Sequence, residues 1–123
     1  MKTNEIRVEI NAPSSKVFEF TTEPKNTPKW LDSVKQESIN TDQIGLGTIY
    51  TNEYGSLEVT DYEKNKFFEL TDPNKGYICS YTYRETEGTT ELIYFEYMEK
   101  GEDLEAPLNK ESFNRLKELL ENN

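Results

Sequence analysis

The stretch LEAPLNKESFNRLKELL, Leu104 to Leu120, decides how the rest of this chain is read, because it is the one convincing long amphipathic helix. Leu108, Phe113, Leu116, Leu119 and Leu120 recur mostly at three, four or seven residues, which puts them on one broad face at about 3.6 residues per turn. Glu111, Asn114, Arg115, Lys117, Glu118 and Glu121 form the wet face. Burying those apolar side chains offers roughly 8–14 kcal/mol at about 1.5–3 each, an upper bound because unfolded chains are already compact. Such a helix needs a partner surface. The strand-rich segment from Ser33 to Lys100 is the only candidate, so the chain reads as an α+β fold. A curved antiparallel sheet grips one helix, with a cavity where the two do not quite meet.

Outward from that helix, the composition sets limits. The 123 residues make one domain, 1–123, with an apolar content of 33% concentrated in eight Tyr and six Phe, so the core is built from a few large rings. No run of eighteen apolar residues offers a membrane span. The N-terminal residues lack a signal peptide's apolar middle, and Cys79 is the one cysteine, which together point to a cytoplasmic protein. A net charge of −10 repels phosphate backbones and anionic lipid, so neither nucleic acid nor a membrane surface is an expected partner. The chain has no His. That removes Ser-His-Asp and Cys-His nucleophiles, His-ligated zinc and the usual proton shuttle near neutral pH. No cofactor and no metal is expected.

Ile6, Val8 and Ile10 alternate with charged residues as a half-buried strand, and Pro13 opens a short helix carrying Val17, Phe18 and Phe20. A second short helix carries Pro28, Trp30 and Leu31. Strands then follow at Val34–Thr41, Thr48–Tyr54, Leu57–Glu63, Phe67–Thr71, Tyr77–Thr86 and Thr90–Glu99, separated by turn residues. The order is strand, two helices, six strands, long helix. In the last hairpin a two-residue turn at Glu87-Gly88 pairs Tyr83 with Leu92, and a three-residue turn pairs Tyr83 with Ile93. One residue of slip turns every side chain over. The three-residue turn groups Ile93, Phe95 and Tyr97 with Cys79, Tyr81 and Tyr83 on the inner face and is the preferred reading. Glu96 is then outside, and Leu92, Tyr94 and Met98 form an exposed stripe that would suit a homo-oligomer contact.

Several short motifs occur together in a telling order. Ile6 to Pro13 followed by Val17-Phe18, then Glu23-Pro24 with Pro28 and Trp30, then Gly45-Leu-Gly47-Thr48-Ile-Tyr50, resemble the opening strand, second helix and strand start of the helix-grip superfamily. That superfamily includes START lipid-transfer domains, plant pathogenesis-related allergens and polyketide cyclase/dehydrase-like proteins. The resemblance spans the chain and implies a helix-grip fold. Members bind sterols, lipids, hormones, polyketides or quinones; some catalyse cyclisation or dehydration, and others assist chaperones. Here the approach to the last helix, Lys100 to Ala106, is short, which implies a smaller or more open cavity.

Tyr50, Tyr81, Tyr83 and Tyr97 carry the functional expectation, since a tyrosine presents an apolar ring and an orienting hydroxyl. Tyrosine is also favoured in strands for packing alone, so an ordinary core fits the same pattern. The expected lining is Trp30, Leu31, Tyr50, Val59, Tyr81, Tyr83, Phe95, Tyr97, Phe113, Leu116 and Leu120, around a small hydrophobic or aromatic molecule. Trp30 reads either as an entrance residue or as a plug. An enzyme reading would use Tyr hydroxyls with an inward Asp61 or Glu69 as general acid or base, although an outward, solvated carboxylate fits both positions. A third reading is a protein-interaction module using the Leu92, Tyr94 and Met98 stripe. Cys79, with no basic neighbour, reads as a small apolar packing group.

Overall fold

Ile6, Val8 and Ile10 are buried and the Glu5, Arg7 and Glu9 between them are exposed, so the first segment forms a strand with one wet face, β1 (Thr3–Ile10). The computed structural model, which describes residues 2–122, continues with α1 (Ser14–Thr22), a 3-10 turn at Pro24–Asn26 and α2 (Thr27–Trp30). The strands β2 (Glu37–Ile39), β3 (Ile49–Asn52), β4 (Gly55–Glu63), β5 (Phe67–Asp72), β6 (Tyr77–Thr86) and β7 (Thr89–Met98) follow, and α3 (Lys110–Glu121) ends the chain. Every pairing is antiparallel, in the order β1-β7-β6-β5-β4-β3-β2. The expected strand at Val34–Thr41 shrinks to β2 at the sheet's edge.

A bulge helps to curve this sheet. Val59 pairs with Leu70 and Asp61 with Glu69, which leaves Thr60 as an extra residue that bends β4. Beyond it Tyr62 packs on the inner face, edge-on to Phe18 with ring centroids 5.6 Å apart.

The last hairpin departs from the expected register. Thr86 pairs with Thr89, Tyr83 with Leu92 and Tyr81 with Tyr94, so the turn is the two-residue one. Glu87 and Gly88 both have positive φ, 51° and 81°, as a type I′ turn requires. Glycine takes that conformation freely, whereas a glutamate in it pays a steric penalty, and the usual sequence signal is Asn or Asp at that place. The turn's twist matches the flanking strands, and β1 agrees with it, setting Ile6 opposite Tyr94 and Val8 opposite Leu92. Leu92 and Tyr94 are therefore core residues at 0% and 1% exposure, and the exposed stripe expected from them and the half-buried Met98 does not exist. Ile93, Phe95 and Tyr97 lie half-buried on the outer face instead, where the Phe95 and Tyr97 rings lie 5.5 Å apart. Glu96 turns inward at 1% exposure.

The C-terminal helix begins later than its apolar spacing predicts. Asn109 caps it, its side-chain oxygen accepting from Ser112 N at 3.1 Å, and Leu104 to Leu108, interrupted by Pro107, form an irregular, non-helical approach. Leu104 is buried all the same. Phe113, Leu116 and Leu120 are sealed against β1 and α2. Lys117 Nζ donates to the Glu9 carbonyl at 2.6 Å, and Glu121 accepts from Asn11 N at 2.7 Å, tying the helix to the end of β1.

Candidate functional site

Successive side chains of a strand point to opposite faces, so Tyr77, Cys79, Tyr81 and Tyr83 of β6 share the inner face with Phe68 and Leu70 of β5. Under α3 this face is filled. Farther along the sheet, beneath α2, the packing leaves a cavity of about 120 Å³. Its walls come from α2 and the residues after it (Thr27, Trp30, Leu31, Val34), from Glu37, Tyr50 and Asn52 of β2 and β3, and from Phe68, Leu70, Tyr77, Cys79, Tyr81 and Tyr94. Thr21 of α1, Leu57 of β4 and Leu108, in the approach to α3, complete the wall.

Of the expected lining residues, Trp30, Leu31, Tyr50 and Tyr81 meet around this space. Val59, Tyr83, Phe113 and Leu116 are buried in the core without lining it, and Leu120 borders a shallow groove between α1 and the end of α3. Phe95 and Tyr97 are on the opposite face, a consequence of the register. Trp30 is 1% exposed, so it is part of the wall and not an entrance. The cavity lies between the sheet and α2, and no residue of α3 borders it.

The hydroxyls are accounted for with one exception. Tyr50 donates to the Thr22 carbonyl at 2.6 Å, and Tyr83 pairs with the Thr21 hydroxyl at 2.6 Å. Tyr77 donates to Glu96 Oε1 at 2.5 Å and lies 3.0 Å from the Tyr94 hydroxyl, which therefore donates to it. The Glu96 carboxylate also accepts from Asn4 Nδ2 and from Leu108 N, each at 2.8 Å, and so pins the approach to α3. Tyr81 has no hydrogen-bond partner among the described residues and borders the cavity. Trp30 Nε1 is also without an acceptor; its ring stands edge-on to Phe113 at 5.1 Å.

Burial pushes the Tyr50, Tyr77, Tyr81, Tyr83 and Tyr94 hydroxyls well above the ordinary phenol range, so all are protonated at neutral pH. Burial likewise pushes the Cys79 thiol up to about 12, which leaves it an unreactive thiol.

The carboxylates differ from expectation. Asp61 is exposed, and Glu69 is on the outer face accepting from Thr60 Oγ1 at 2.7 Å. The carboxylate at the cavity is Glu37, which accepts from Thr27 Oγ1 at 2.6 Å and Asn52 Nδ2 at 3.3 Å. Desolvation raises its pKa against the pull of those two donors, and no ion pair reaches it among the described residues. Periodicity reads charged residues as outward, so it missed both Glu37 and Glu96. The parity of β6 carried the signal for Tyr77.

No protein-family model matches the sequence, and no curated protein is similar to it. Solved structures are similar in fold. Protein CV1439 from Chromobacterium violaceum superposes with a TM-score of 0.71 at 15% identity, covering 98% of this chain and 99% of that one. The Aha1 dimer from Colwellia psychrerythraea gives 0.68 at 18% identity, covering 98% and 97%. Ara h 8.0201 gives 0.65 at 14% identity, covering 98% of both. The likeness is one of fold, and the fold is the helix-grip fold. No helix among the described residues is long and apolar enough to cross a membrane.

Proposed function

We propose that this chain binds one small, mostly apolar molecule in the cavity beneath α2. A single observation carries the reading: aromatic and aliphatic side chains from α2 and five strands line about 120 Å³ of unfilled space beside the Tyr81 hydroxyl, which has no hydrogen-bond partner among the described residues. A close-packed core with no second purpose leaves few spaces of that size, and an inward hydroxyl without a protein partner is left to bond whatever fills the space. The space is somewhat below the roughly 150 Å³ that holds a benzene, so a sterol or polyketide does not fit without movement of the walls. Apolar walls supply affinity, and Tyr81 and Glu37 orient the occupant.

Catalysis by tyrosine hydroxyls is less well supported. Groups held far above their ordinary pKa are neither ready bases nor ready acids at neutral pH. Native mass spectrometry of freshly purified protein tests the binding reading. One small adduct, released on denaturation, is expected. A bare protein mass, together with failure to take up a probe such as isobutanol, contradicts it.

A further inference from the structure

Resting on that reading, we infer that the occupant is a small amine in its ammonium form, smaller than a benzene ring, its nitrogen set against Glu37 and the oxygens of Tyr50 and Tyr81. Glu37 is the one charged side chain in the cavity wall. Glu37 is half-buried, and a carboxylate drawn partly out of water gains from a counter-charge. Glu37 has two neutral donors, Thr27 and Asn52, and no ion pair among the described residues, and a carboxylate has lone pairs for more. Its pKa is raised by desolvation, the sign of a carboxylate lacking its counter-charge.

The neighbouring groups suit the same ligand. Tyr50 donates its hydroxyl hydrogen bond to the Thr22 carbonyl, which leaves the lone pairs of the phenolic oxygen free to accept, and the Tyr81 oxygen has no protein partner among the described residues. Rings from Trp30, Tyr50, Phe68, Tyr81 and Tyr94 surround the space, and aromatic faces attract a desolvated cation. No Lys or Arg borders the cavity, so nothing there compensates an anionic ligand.

Three probes of nearly one shape separate the outcomes: isobutylamine, isobutanol and isobutyrate, titrated calorimetrically into the intact chain at neutral pH. Salt of about 0.15 M, where the screening length is about 8 Å, suppresses attraction by the general acidity of the surface. The amine is expected to bind at least about tenfold more tightly than the alcohol, as befits a charge-assisted hydrogen bond, with no measurable binding of the carboxylate. Glu37→Gln is expected to bring the amine-to-alcohol ratio close to one.

Equal binding of amine and alcohol overturns the amine assignment and leaves the binding reading standing. An amine preference that survives Glu37→Gln also overturns it. Failure of all three probes removes both. The ranking on the unaltered chain stands alone as a test if the variant does not fold.

Discussion

The two ends of the sheet's inner face are packed differently. Under α3 the side chains of Ile10, Leu92, Phe113, Leu116 and Leu120 are all at 0–1% exposure and fill the space between helix and strands. Under α2, Trp30, Tyr50, Leu70, Cys79 and Tyr81 are also buried, yet they line a space left unfilled and partly open to solvent. Both ends are built from the same apolar alternation. They differ in what covers them: α3 is a capped three-turn helix, whereas α2 has four residues. A short helix carrying one Trp cannot close the space that a longer one does. On the proposed reading, stability falls to the filled end of the core and binding to the hollow one.

The largest expected effect breaks the filled end. Leu116→Ala should cost about 3–5 kcal/mol in urea unfolding, since a buried leucine leaves a cavity its rigid neighbours cannot fill. Leu70→Ala, at the hollow end, should cost about 2–3 kcal/mol, because part of that contact is already missing. Equal costs would mean that the two ends are packed alike.

Glu96 links the ends, holding the approach to α3 while Tyr77 and Tyr94 reach from it to the cavity wall. Glu96→Ala strands several buried donors and should cost about 2–4 kcal/mol, with faster amide exchange around Leu108. Cys79→Met instead fills the cavity. Unfolding free energy should move by no more than about 1 kcal/mol, while probe uptake is lost.

Glu37→Gln sharpens the contrast through pH. The Glu37 pKa is raised in the folded chain, so between the ordinary carboxylate range and that raised value the folded state holds the extra proton. Stability contributed by Glu37 therefore falls as pH rises through that window and is flat below it. Subtracting the Glu37→Gln stability profile from that of the unaltered chain should leave this downward slope. The smallest effect tests the register that decides which residues reach either end. Glu87→Asn, easing a left-handed backbone, should add about 0.5 kcal/mol.

Much of this architecture was legible in the chain itself. Ile6, Val8 and Ile10 announced a half-buried strand, and Phe113, Leu116 and Leu120 marked the buried face of the last helix. The motifs from Ala12-Pro13 to Tyr50 pointed to the helix-grip arrangement. Register was harder, because it turns on a glutamate accepting positive φ at Glu87, which a neighbouring glycine alone does not disclose. The helix start was set by Asn109 and Pro107 against an apolar spacing that ran on through them. Of the cavity, Trp30, Leu31, Tyr50 and Tyr81 were visible as large residues on inward positions. Glu37 was not, since its burial depends on Thr27 and Asn52 arriving from elsewhere in the fold.

Trp30 belongs to both ends, packing on Phe113 of α3 and lining the cavity, and it is the chain's one tryptophan. Its indole N–H is therefore a single resolved signal in a nitrogen–proton correlation spectrum. On titration with isobutylamine the account predicts a saturable shift of that signal, abolished by Cys79→Met. An unmoved signal, or a shift undiminished in the filled variant, would contradict it.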